Sequence, residues 1–181
     1  LAEIKDLTLT AAEAGEVERI LLVGGERPKQ TGGEIREARL SKEEAVIVSG
    51  FYIRAPKDYT PDRAWPVMIF THGGHFEKMG TYDAFRAHAR ELIGWFERSK
   101  MGDGYIVAVP VTPEGYAEES WRRIVFATLR RVTREYRVDR DRILLSGGSM
   151  GAFGAWETGL FHGDRLAGIV PCSGGYFYEE W

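Results

Sequence analysis

Four short continuous apolar runs, at 67–70, 105–110, 143–145 and 166–172, are separated by stretches of helical period. Runs this short and this uniformly apolar read as strands covered on both faces of a sheet; a strand with one wet face would alternate. Between the first two, residues 81–99 place Phe85, Leu92, Ile93 and Phe96 on one helical face. Residues 120–136 carry the clearest helical period in the chain. Trp121, Ile124, Val125, Leu129, Val132 and Tyr136 fall on one stripe, and the arginines opposite read as a solvated face. Strand alternating with helix predicts an α/β domain with a mostly parallel sheet and helices on both faces. Ahead of it, 34–40 and 45–56 read as two more strands, an antiparallel pair at a sheet edge, followed by the turn-rich segment 57–66. Ligand sites in sheets of this kind lie at the carboxyl ends of the strands.

The third run ends abruptly in glycine. In "RILLSGGSMGAFGAW", residues 142–156, one hydroxyl sits among residues with little or no side chain. The segment after the serine has helical composition, with Met150, Phe153, Trp156 and Leu160 near one-turn spacing. The order is strand, very tight turn, helix. Gly147, Gly148, Ser149, Met150 and Gly151 fit the pattern G-x-S-x-G, in which the serine takes a strained backbone so that its hydroxyl stands exposed at the sheet's carboxyl edge. The helix beyond points its N-terminal amides at that hydroxyl, and such amides stabilise a developing oxyanion. Phosphate-binding turns also place glycines between strand and helix. However, no Gly-Lys-Ser/Thr is present here, and the dinucleotide spacing G-x-G-x-x-G is not matched.

A second glycine feature closes the first apolar run: His72, Gly73 and Gly74 come directly after "VMIFT". Glycines there let backbone N–H groups approach a substrate. One of them, with the N–H of Met150, would make a two-donor oxyanion hole.

On these residues the chain from about 45 to 181 resembles the alpha/beta-hydrolase superfamily. It is most similar to esterases of the polyhydroxybutyrate-depolymerase and feruloyl-esterase type, and to the related prolyl-oligopeptidase-like serine hydrolases. The blocks that carry the resemblance are "YIRAPKDYTPDRAWPVMIFTHGG" and "YRVDRDRILLSGGSMGAFGAWETGLFHGDRLAGIVPCSGG". It implies an alpha/beta-hydrolase fold lacking its last strands, with Ser149 as nucleophile, Gly73, Gly74 and Met150 as the oxyanion hole, and Gly147, Gly148 and Gly151 shaping the elbow. The implied reaction is hydrolysis of a small or polymeric carboxylic ester through an acyl-enzyme, with no cofactor and no metal. The alternatives are a prolyl-oligopeptidase-like peptidase, transfer of the acyl group to an alcohol other than water, and a hydrolase-like binding module without catalysis.

A serine hydroxyl needs a base, and the base needs a carboxylate to orient it. In this superfamily both come after the serine in chain order, on loops after later strands. After Ser149 the sequence has space for one helix and one strand, so the acid and the histidine are expected outside it, and the segment by itself is expected to be inactive. None of the histidines present is a convincing substitute. His162 falls at the far end of the helix, about 20 Å away at ~1.5 Å per residue. His72 and His75 belong to the oxyanion loop, and His88 reads as a half-buried packing residue. Asp139 and Asp141 precede their strand, Asp164 lies in a turn, and Glu179 and Glu180 fall at the end.

The domain reading is residues 31–181 as the hydrolase portion and 1–30 as an N-terminal helical extension or linker, with Val17, Ile20 and Leu21 inward and Gly24-Gly25 ending it. A net charge of −3 over 181 residues, with no basic tract, argues against a nucleic-acid partner. No apolar window is long enough to suggest a membrane span. The single cysteine, Cys172, ends an apolar run and reads as a small buried hydrophobe. Phe76, Met79, Tyr176, Phe177 and Tyr178 are candidates for an aromatic rim around the site, or for ordinary core.

Overall fold

The computed structural model describes residues 30–45, 47, 49–74, 81–112 and 119–175. The expected N-terminal helix lies outside these residues, as do His75, Glu179, Glu180 and all five candidate rim residues. In chain order the elements are β1 (Ile35–Leu40), the single turn α1 (Lys42–Ala45), β2 (Ser49–Arg54), β3 (Trp65–Thr71), α2 (Tyr82–Ser99), β4 (Ile106–Val111), α3 (Glu119–Glu135), β5 (Val138–Gly148), α4 (Met150–His162), a 3-10 turn (Gly163–Arg165) and β6 (Gly168–Cys172). One sheet holds all six strands in the order β1-β2-β4-β3-β5-β6. β1 and β2 form the expected antiparallel edge, β2 is also antiparallel to β4, and the pairs β4/β3, β3/β5 and β5/β6 are parallel. Among the described residues no helix is long and apolar enough to cross a membrane.

The runs in β3, β4 and β5 lack alternation because both faces of the sheet are covered there; the expectation fails for β6, an edge strand with no buried residue and with Val170 exposed. In β4, Ile106 and Ala108 join a core with Trp121, Ile124, Val125 and Val132 of α3 and Ala155 of α4. Val107, Val109 and Val111 point the other way, into a cluster with Phe85, Ala89, Ile93 and Phe96 of α2. A side-chain period of two under helices on both sides demands apolar residues at every position. Pro110 does not end β4; it pairs with Phe51, and the strand runs on to Val111.

One further expectation changes. β5 begins at Val138, five residues before its apolar run, because Arg140, Asp141 and Arg142 carry exposed side chains and leave no apolar signature. Helix α4 forms over Met150–His162, as its composition leads one to expect. Its buried residues are Gly151, Ala152, Gly154, Ala155 and Thr158, while Phe153 and Trp156 are half-buried and Leu160 is exposed. Small residues win this face because the helix lies close to its neighbours: a Cβ at Gly154 would come within 2.9 Å of the Trp121 ring, and one at Gly159 within 2.7 Å of Ile169.

Candidate active site

β3, β4, β5 and β6 run parallel, so Thr71, Val111, Gly148 and Cys172 end on one edge of the sheet. Ser149 is the one residue between β5 and α4, and its backbone is at φ 52°, ψ −118°. A non-glycine residue in that region stores roughly 1–3 kcal/mol of strain and persists only where its surroundings over-determine it. Here they do. The Ser149 N–H donates to the Cys172 carbonyl on β6 at 2.9 Å, and the Ser149 carbonyl accepts from Ala152 N at 2.9 Å, the first bond of the helix. The Thr71 hydroxyl lies 3.0 Å from the Ser146 carbonyl and 2.9 Å from that of Gly151, tying the end of β3 to both arms of the turn.

The glycines around the serine are not equivalent. A Cβ at Gly147 would collide with Thr71 Oγ1 and the Gly151 carbonyl. One at Gly151 would lie 2.7 Å from the Thr71 carbonyl carbon and 2.8 Å from the His72 oxygen. At Gly148 the nearest atom is Phe70 Cζ at 4.0 Å, which is ordinary contact. Close approach therefore requires glycine at 147 and 151, but not at 148.

The Ser149 side chain is exposed and makes no capping hydrogen bond, so the hydroxyl is presented rather than consumed. Amides of a helix's first turn have no acceptor within the helix, and Met150 begins α4 beside this hydroxyl. Gly73 lies against the serine: a Cβ there would be 3.2 Å from Ser149 Cβ and 2.9 Å from the Gly148 carbonyl oxygen. Gly74 comes next at φ 146°, a conformation L side chains rarely adopt. Sequence reading picked out Ser149, Met150, Gly73 and Gly74 from two distant segments, and the structure brings them to one place.

His72 is 1 % exposed, and both its nitrogens are engaged. Nδ1 is 2.8 Å from the Gly73 carbonyl, and the Thr112 N–H donates to Nε2 at 3.1 Å. An amide N–H can only donate, so Nε2 carries a lone pair and the proton sits on Nδ1. The ring is neutral, with burial pushing its pKa down from 6.5 to about 4; the Gly73 carbonyl opposes that shift, and neighbouring His88 adds to it. Neither nitrogen is free to serve Ser149 as a base. His88 packs edge-on to His72 from α2, with ring centroids 6.0 Å apart, and His162 closes α4 against Phe126. Asp139 pairs with Arg142, while Asp141 and Asp164 line a cleft with Arg130 and Arg140 where β5 begins, at the opposite edge of the sheet. Among the described residues no three His, Cys, Asp or Glu side chains come together as a metal site.

Two contributors were not visible in the sequence. Thr71 ends β3 and Thr112 follows β4 as ordinary β-branched residues, and only pairing across the sheet shows what they bind. Cys172 corrects an expectation. It is exposed at the end of edge strand β6, because no strand covers its outer side among the described residues.

The His72 titration has a measurable consequence. Between pH 6.5 and about 4 the unfolded chain binds a proton at this histidine and the folded one does not. Stability is thus full above 6.5 and falls by about 3 kcal/mol as the pH drops through that window. Urea unfolding of wild type and His72→Asn at a series of pH values checks this: the variant is expected to lose that part of the acid slope.

Comparison with solved structures decides the fold. A thermostable esterase superposes at TM-score 0.62 with 24% identity, over 78% of this chain and 41% of the other. This is the alpha/beta-hydrolase fold. A serine-to-alanine variant of the feruloyl esterase module from Clostridium thermocellum, complexed with sinapinate, matches at TM-score 0.57 and 18% identity, over 84% of this chain and 58% of that one. A ferulic acid esterase matches at 0.53 and 18%, over 77% and 59%. The chain thus spans between 41% and 59% of the length of these alpha/beta-hydrolase structures. No protein-family model matches the sequence, and the comparison with curated proteins finds no match.

Proposed function

We propose that the chain is the nucleophile-bearing part of a serine hydrolase acting on carboxylic esters. Ser149 Oγ attacks the ester carbonyl while a base removes its proton. The carbonyl oxygen gathers negative charge facing the Met150 N–H and an N–H of the Gly73-Gly74 loop. The tetrahedral adduct then collapses, the carbon–oxygen bond to the alcohol breaks, and the alcohol leaves with the proton. Water repeats the sequence on the acyl-serine and releases the acid. Each loop donor contributes roughly 3–4 kcal/mol of transition-state stabilisation in sites of this type. Neither the histidine nor the acid of the triad is assigned to the described residues, since His72 is fully engaged and His88 and His162 sit on other elements.

One observation carries this reading: an exposed hydroxyl held at φ 52°, ψ −118° with the Gly73 backbone pressed against it. Strain of that kind is a cost to folding, and a serine kept only for structure would have no reason to bear it. The esterase names of the similar folds support the same substrate class, and the feruloyl esterases among them make a feruloyl ester a suitable probe beside p-nitrophenyl butyrate. The full-length protein is expected to hydrolyse such esters and to be labelled at Ser149 by a fluorophosphonate. Residues 1–181 alone are expected to be slower by about 10⁶-fold, the loss seen when the base is removed from a triad. Absence of labelling in the full-length protein would refute the hydrolase reading. Ordinary turnover by the segment would refute the placing of the base.

A further inference from the structure

Where β5 begins, two steps along β3, from Trp65 to Val67, are matched by five along β5, from Val138 to Ile143. The extra residues bulge out of the ladder, and Asp139 holds the bulge: one of its carboxylate oxygens accepts from Asp141 N at 3.0 Å and the other from Arg142 Nε at 2.6 Å. A bulge re-aims side chains that a regular strand would send to the sheet faces. Here it sets Arg140 and Asp141 in the lining of a cleft of about 590 Å³ between α3 and the 3-10 turn, a volume in the range of small-molecule sites. Leu129, Ile143, Leu166 and Ala167 give the cleft an apolar wall, and Arg130 and Arg165 bring two more cations. Its place is the edge of the sheet away from Ser149, since Ile143 lies about 20 Å from that serine along β5 at ~3.3 Å per residue.

Arg130 and Arg165 are held by neutral partners. Arg130 Nη2 donates to the Glu44 carbonyl at 3.2 Å, and the Arg165 guanidinium lies over the Phe126 ring, 5.0 Å from its centroid. Among the described residues no carboxylate forms an ion pair with either of them or with Arg140. By contrast, Arg122 and Arg131 of α3 pair with Glu157 and with Glu44 and Glu135. The same two arginines also line a second cleft of about 540 Å³ beside Phe126 and His162.

We propose that the cleft at the start of β5 is a second ligand site, which takes a monocarboxylate with a compact apolar body. The carboxylate meets the charge that Arg130, Arg140 and Arg165 leave uncompensated, and the body lies on Leu129, Ile143, Leu166 and Ala167. Charge selects a monoanion. Three arginines against two carboxylates, Asp141 and Asp164, leave one net positive charge in the lining, which suits a single carboxylate and disfavours a phosphate dianion or an acidic peptide. Magnitude selects the apolar body. The arginines are exposed, and exposed ion pairs contribute little by themselves, so burial against the apolar wall must supply the rest. A guanidinium already anchored on a carbonyl or a ring loses less freedom when a ligand arrives than one that swings in water. An acid released by ester hydrolysis belongs to this class, but the assignment does not rest on that reaction and uses no residue of the Ser149 site.

The test titrates the ¹⁵N-labelled full-length protein with trans-cinnamate, with its uncharged amide cinnamamide, and with inorganic phosphate. With cinnamate the Leu166 and Ala167 amides are expected to shift and to saturate. Cinnamamide keeps the shape without the charge, and phosphate keeps charge without the apolar body; each is expected to bind there about 10-fold more weakly or worse. Arg130→Gln combined with Arg165→Gln is expected to weaken cinnamate by at least about 10-fold. Ala167→Glu, at an exposed position, sets a carboxylate in the cleft and is expected to abolish the shifts. Cinnamate that shifts only the amides at 148–151, or none at all, overturns the second site. Cinnamamide binding as tightly as cinnamate overturns the part given to the arginines, and phosphate binding as tightly reduces the cleft to a plain anion patch and overturns the ligand class. If the double arginine variant does not fold, the three ligands and Ala167→Glu still decide. None of these outcomes touches Ser149 as the nucleophile.

Discussion

Ser149→Ala in the full-length protein is expected to lower ester turnover by about 10⁶-fold and to abolish fluorophosphonate labelling. The residual rate over water would come from binding and from the amide donors, which the substitution leaves in place. Ser149→Gly should be as inactive, and also more stable. At φ 52°, ψ −118° the serine Cβ is what makes the conformation costly. Removing it relieves up to roughly 1–3 kcal/mol of strain. Chemical denaturation of wild type, Ser149→Ala and Ser149→Gly measures that difference. If the glycine variant were no more stable than the alanine variant, the turn would not be strained and the argument from stored strain would fall.

The second large effect separates the three glycines beside the serine. Gly151→Ala drives a Cβ to 2.7 Å from the Thr71 carbonyl carbon and 2.8 Å from the His72 oxygen, both of them backbone atoms of a central strand and its loop. Neither can rotate aside, so β3 and α4 must separate. The expected cost is about 3 kcal/mol or more. Because separation also displaces the serine from the Gly73-Gly74 loop, activity should fall by at least about 10²-fold. Gly147→Ala meets Thr71 Oγ1 and the Gly151 carbonyl and should behave in the same way. Gly148→Ala finds its nearest neighbour at 4.0 Å and should stay within about 0.5 kcal/mol of wild type. Thermal melts and ester assays on the three variants check the ordering. Equal effects at 148 and 151 would contradict the packing around Thr71.

This ordering illustrates what was legible in the sequence. The pattern G-x-S-x-G marks positions 147 and 151, while the glycine at 148 reads as one more member of the same run, and no residue count distinguishes them. Their difference lies in Thr71 and His72, whose segment is about eighty residues away and is brought alongside by the parallel pairing of β3 with β5. The face of α4 went the same way. Its sequence shows a helical period, but only the close approach of Trp121 and Ile169 shows why glycine and alanine take buried positions.

The sequence by itself determined the layered architecture and the position of the serine between a strand and a helix. Both are local: a doubly covered strand must be apolar throughout, and a turn of one residue must be flanked by small ones. The tertiary structure alone decided what surrounds the hydroxyl. The packing of Gly73 against Ser149, the neutral His72 locked between Gly73 and Thr112, and the exposure of Cys172 at the sheet edge all depend on which strands are neighbours. Strand order brings Thr71 and Cys172 to the turn that holds Ser149 and Thr112 to His72, and it is set by the burial of the whole sheet rather than by any single segment.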